Sequence, residues 1–171
     1  MCIIKQRGFF MDLDKITDDG LITLYSDIIK ELKKRNIIRT KNIIGDLGEY
    51  FAIKYYNENT SLPKLQAAPA GTQNVDAISR KGERYSIKST SGKLTSVFYG
   101  LNDIGATEEE KQKFEYVIIV IFNKDFELEK IIEINWEQFL KLKRWHKTMR
   151  GWNISVNKNL IEEGKIIYSS N

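Results

Sequence analysis

The chain has 171 residues, of which 42% are hydrophobic and 29% charged, and a formal net charge of +4. This balance suits one globular domain with a sizeable core, and no internal repeat or low-complexity tract argues otherwise. One cysteine, Cys2, and one histidine, His146, exclude an intramolecular disulfide and a Cys/His zinc set, so a metal would have to be held by oxygen. No run approaches the length of a membrane span and the apolar stretch after Met1 is too short for a secretory signal, which makes a soluble, cytoplasmic protein the expectation.

In chain order, Leu21, Leu24, Ile28, Ile29 and Leu32 recur at helical spacing ahead of Lys33, Lys34 and Arg35. They predict an amphipathic packing helix from Gly20 to Arg35, within an N-terminal helical extension over 1–40. The rest of this single domain, 41–171, opens with a second helix from Lys41 to Asn57. Its expected buried stripe is Ile43, Leu47, Phe51 and Tyr55, with Asp46, Glu49 and Ile53 on another face. Gly48 lowers helix propensity by about 1 kcal/mol relative to Ala and suits a close approach by the sheet or a nucleic-acid strand. Leu65 to Asn74, with Pro69 and Gly71, is expected as a surface loop.

A hairpin follows over Asp76 to Lys88, then mixed strand and loop to Gly105, and a capping box at Thr107 to Glu110 predicts a short helix. Tyr116 to Phe122, apolar on both faces, predicts the central strand, with Ile131 to Ile134 beside it. Asn135 and Gln138 cap a third long helix carrying Trp136, Phe139, Leu140 and Leu142. A short helix ending at Gly164 and a strand from Lys165 to Tyr168 close the chain. The order implies an α/β fold, a mixed sheet of four or five strands flanked by helices. The lack of a glycine-rich turn between a first strand and a helix disfavours a doubly wound nucleotide-binding fold.

The chemistry concentrates in the hairpin. In Arg84 to Lys88 the alternation puts Arg84, Ser86 and Lys88 on one face and Tyr85 and Ile87 on the other. A three-residue loop, Arg80, Lys81 and Gly82, with Gly82 left-handed, pairs Ser79 with Glu83 and sets Asp76 opposite Ser86, diagonal to Lys88 on the same face. A two-residue loop would slip the register by one and separate them. A carboxylate ending one strand, a lysine on the next and Glu49 on a preceding helix can together hold a divalent cation and activate a water beside a phosphate.

This arrangement resembles the PD-(D/E)xK superfamily, the restriction-endonuclease-like fold, in its small single-domain form, with the element order matching from Ile43 to Tyr168. The resemblance implies that Asp76 is a metal ligand, Ile87 a backbone-carbonyl ligand, Lys88 the catalytic lysine and Glu49 the helical carboxylate. The implied cofactor is Mg2+ or Mn2+ and the implied activity a DNA endonuclease of restriction, defence or repair type. One position departs from the pattern: Ser86 stands where an acid belongs, and serine is a poor ligand for a hard cation. Glu49 is the residue expected to supply the missing carboxylate. The alternative is a catalytically inactive nucleic-acid-binding or protein-interaction module on the same fold.

Charge is uneven. Residues 141–171 carry seven Lys or Arg against Glu162 and Glu163, an excess of five where the whole chain has a net +4. Within that stretch Lys141, Lys143, Arg144, Lys147 and Arg150 interleave with Trp145 and Trp152, as expected of a surface gripping a phosphate backbone. DNA is therefore the expected partner. Cutting both strands of a duplex would call for a homodimer, although no interface is legible in the sequence.

Overall fold

The computed structural model describes residues 3–6, 9–69 and 71–170. The chain divides into two compact units, Met1–Lys41 and Asn42–Asn171. In the first, strands β1 (Ile3–Gln6) and β2 (Phe9–Asp12) pair antiparallel, which the sequence did not announce. A single 3-10 turn leads to helix α1 (Asp18–Lys34). Thr17 sets its start, two residues before the expected Gly20, because its Oγ1 accepts a 3.2 Å hydrogen bond from the Gly20 amide and satisfies one of the orphan donors of the first turn.

The second unit runs α2 (Ile43–Glu58), β3 (Leu65–Ala67), β4 (Ala77–Ser79), β5 (Arg84–Thr90), β6 (Tyr116–Phe122) and β7 (Leu128–Asn135). It continues with α3 (Trp136–Leu142), β8 (Lys143–His146), β9 (Gly151–Ile154), α4 (Lys158–Glu163) and β10 (Lys165–Ser169). Six strands form one mixed sheet in the order β10-β7-β6-β5-β4-β3, in which β5 and β6 run parallel and every other neighbouring pair antiparallel. The α/β class agrees with the sequence.

The sheet has six strands rather than four or five, because Leu65 to Ala67 is an edge strand and not part of a loop. The Asn57 side chain fixes it, accepting from the Leu65 amide at 2.8 Å and donating to the Leu65 carbonyl at 2.9 Å. Such a side-chain clamp carries no local strand signal.

Strand β6 holds the two layers together. Ile118, Val120 and Phe122 face α2, Ala52 and Tyr56, whereas Val117, Ile119 and Ile121 face Phe98, Phe114, Phe139 and Leu160. Val117 through Val120 are fully buried, and at roughly 1.5–3 kcal/mol per side chain they anchor both cores. At the strand's start the Glu115 carboxylate accepts from the Arg84 guanidinium, which holds its pKa below the usual carboxylate value.

Helix α2 is rotated from the expected stripe. Gly48, Ala52 and Tyr56 face the sheet, and the larger Leu47, Phe51 and Tyr55 are only partly buried. Small residues win this face because they allow close approach: a Cβ built on Gly48 would lie 1.6 Å from Ser89 Oγ and 2.7 Å from Ser89 Cβ.

Two further expectations are corrected. Thr107 to Glu110 form no helix, since the Glu110 carboxylate is committed to the Asn102 amide and to Lys143. The third helix is short, seven residues, and the basic segment after it is the antiparallel hairpin β8–β9, held by a Trp145–Trp152 cross-strand pair with ring centroids 5.2 Å apart.

Gly48→Ala is expected to destabilise the protein by about 1–3 kcal/mol in urea denaturation, overpacking outweighing the ~1 kcal/mol gain in helix propensity. Adding Ser89→Gly should recover most of that loss. Additivity of the two substitutions in the double-mutant cycle would show that the contact is not limiting.

Candidate functional site

The site is built where β4 peels away from β5. The connecting loop is Arg80, Lys81 and Gly82, Gly82 has φ +85°, and the Ser79 amide donates to the Glu83 carbonyl at 2.9 Å. That loop gives the expected register, Ala77 opposite Tyr85 and Ile78 opposite Arg84. Pairing with β4 ends there, so among the described residues β5 has no strand partner on that side from Ser86 onward.

Asp76 fills the fork. Its Oδ2 accepts from the Ile87 amide at 2.6 Å and more weakly from Ser86 Oγ at 3.3 Å, while its own amide donates to the Tyr85 carbonyl at 2.8 Å. The N–H and C=O of one strand residue point to the same side, so the Ile87 carbonyl lies on the open edge beside the Asp76 carboxylate. Asp76 Oδ1 accepts no hydrogen bond within the described residues. A free carboxylate oxygen and a backbone carbonyl on one edge are the hard-oxygen donors that Mg2+ or Mn2+ takes, so these residues fit such an ion.

Ser86 is 1% exposed and its hydroxyl orients Asp76. A second acid at this buried position would set two carboxylates within hydrogen-bond reach of each other, which is costly unless a cation lies between them.

Glu49 lies on α2, which packs against β5. The Gly48–Ser89 contact places it level with Ser89, two residues or about 7 Å along β5 from Ile87. The flank it occupies follows from helical spacing. Glu49, Ile53 and Asn57 recur every four residues, and Asn57 binds β3, so this flank faces the β3–β4 side. Phe51 and Tyr55 look the other way, to Phe122 and Tyr168. Asp46, one turn earlier, is 4% exposed and is the one fully buried acidic side chain among the described residues. The sequence grouped it with Glu49 but gave no sign of its burial. Among the described residues no group of three or more His, Cys, Asp or Glu side chains is clustered to hold a metal.

Lys88 leaves β5 on the face opposite α2, as expected, and its Nζ lies 5.1 Å from the centre of the Phe98 ring. Phe98, which the sequence did not single out, is 2% exposed, and its amide donates to the Trp152 carbonyl at 2.6 Å. The Lys88 side chain and the β8–β9 hairpin are thus joined through one aromatic residue.

The basic residues of that hairpin divide. Lys143 pairs with Glu110 at 3.1 Å, lies 4.2 Å above the Trp152 ring and is 13% exposed, so it is spent on packing. Arg150 pairs with Asp103 at 3.1 Å on the surface. Lys141, Arg144 and Lys147 are exposed.

Neither the protein-family models nor the curated proteins contain a match to this chain.

Because Asp76 satisfies the buried Ile87 amide, it has a structural role beside any chemical one. Asp76→Ala should cost about 1–3 kcal/mol by urea denaturation, the penalty of an unpaired buried donor, whereas Asp76→Asn keeps an acceptor and should stay within about 1 kcal/mol of wild type. Equal stabilities of the two variants would mean that water replaces the carboxylate.

Proposed function

We propose that the protein is a metal-dependent endonuclease hydrolysing phosphodiester bonds in DNA, of restriction, defence or repair type. The observation that carries this reading is the β4–β5 fork, which sets the Asp76 carboxylate and the Ile87 carbonyl on one open strand edge with Lys88 a single residue further along. Asp76, the Ile87 carbonyl and Glu49 would hold the ion. When bound, Mg2+ or Mn2+ lowers the pKa of water and offsets charge on the phosphate.

The protein's own groups do the rest. Ser86 and the Ile87 amide fix the carboxylate's orientation. Lys88, whose Nζ lies beside Phe98 on the face opposite α2, would donate to the attacking water or to a non-bridging phosphate oxygen. Lys141, Arg144 and Lys147 supply sequence-independent grip on the backbone.

A second reading, an inactive nucleic-acid-binding module, is favoured by Ser86 in place of the usual acid. Plasmid cleavage separates the two. The nuclease reading expects magnesium-dependent nicking that Asp76→Asn abolishes and that Lys88→Ala slows by ~100-fold or more, with both variants folded. Wild-type-like cleavage by either variant removes the mechanism. Binding of DNA without cleavage in any divalent metal selects the inactive module.

The phosphate grip has its own test. Replacing Lys141, Arg144 and Lys147 by Ala should flatten the slope of log K against log salt by about 0.9 per lost contact, whereas Lys143→Ala should lower stability instead. An unchanged slope in the triple variant would move the DNA surface away from this segment.

A further inference from the structure

We infer that α1 is a dimerisation helix, pairing antiparallel with α1 of a second copy of this chain. None of its 17 residues is buried, yet Leu21, Ile22, Tyr25 and Ile28 stand 37%, 65%, 61% and 45% exposed. At helical spacing Leu21, Tyr25, Ile28, Ile29 and Leu32 share one arc of about 100°, with Ile22 at its border. Ile29 and Leu32 are partly buried within the chain, whereas Leu21, Ile22, Tyr25 and Ile28 leave contiguous apolar surface on the helix that calls for a partner.

The stripe is self-complementary. Leu21 and Leu32 lie equally far on either side of the Ser26–Asp27 peptide, and so do Tyr25 and Ile28. A two-fold axis through that peptide sets Leu21 of one copy against Leu32 of the other and Tyr25 against Ile28, the reciprocal contacts of an isologous interface.

Charge selects the antiparallel sense. Asp18 and Asp19 occupy the first turn and Lys33 and Lys34 the last, so antiparallel pairing lays each acidic end on a basic end, while parallel pairing would set like on like. Among the described residues, Asp18, Asp19 and Lys33 take part in no ion pair within the chain, whereas Lys30 is engaged by Asp27, and Lys34 and Arg35 by Glu31. The pairing is independent of the nuclease reading, and a dimer without nuclease activity would support it equally.

Light scattering after size exclusion of the full chain at micromolar concentration should return twice the 19.9 kDa chain mass. Tyr25→Glu with Ile28→Glu should return the single-chain mass while keeping the far-ultraviolet helix signal. A wild-type monomer, or a dimer that persists in the double variant, overturns the proposal.

Orientation and register are read by disulfide trapping in a Cys2→Ser background, which also serves if the double variant fails to fold. Leu21→Cys mixed with Leu32→Cys should cross-link, and neither should cross-link alone. Cross-linking of either variant alone as fast as the mixture, or of none, is the contrary result.

Discussion

The hydrogen bond from the Ile87 amide to Asp76 Oδ2, 2.6 Å long, is the constraint on which the candidate site depends. In a continuous antiparallel ladder that amide would bond to a backbone carbonyl of β4. Here a side-chain carboxylate takes its place one residue before β4 begins, which ends the pairing without leaving a buried donor unmet. The substitution opens the edge of β5, aims the Ile87 carbonyl into the opening and leaves the second carboxylate oxygen uncommitted. One contact thus sets the strand boundary and the donor set together.

The fork is only as definite as the layers on either side of it. On one side, Gly48 lets α2 sit against Ser89. Tyr56, fully buried, pins the other end of the helix by donating to Glu133, and burial raises its pKa well above the ordinary phenol value. On the other side, the cluster of Phe98, Phe114, Trp136 and Phe139 walls the face from which Lys88 emerges. The edge of β5 that carries Asp76 lies between these two layers.

How much of this was legible in the sequence depended on how local each signal was. The Gly82 turn dictated the hairpin register, and with it the relation of Asp76 to Ser86 and Lys88, because left-handed geometry at one glycine fixes the loop length. The uninterrupted apolar run of β6 and the Asn135–Gln138 capping box were equally local. The misses were tertiary. The buried face of α2 was chosen by a close approach that rewards Gly48 and Ala52 over Leu47 and Phe51, edge strand β3 was fixed by a side chain eight residues away, and Glu110 gave up a helix cap for a partner 33 residues away. The hairpin β8–β9 was hidden because Trp145 and Trp152 pair across strands at a spacing that also suits two turns of a helix.

That hairpin changes how the positive charge relates to the site. In the sequence alone the basic segment has no fixed relation to Asp76 and Lys88. As β8–β9 it is tied to the stretch following β5: the Thr95 amide donates to the Ile154 carbonyl, and the Phe98 amide to the Trp152 carbonyl. The same Phe98 underlies Lys88. Lys143 is drawn into this scaffold as a packed cation, its charge offset by Glu110 and its stem laid over Trp152. Among the described residues Arg144 and Lys147 have no such partners, and they project from strand β8 and from the turn that follows it. Under the proposed DNA binding, a phosphate backbone held by this hairpin would be positioned relative to Lys88 through the Phe98–Trp152 hydrogen bond and the packing of Lys88 on Phe98.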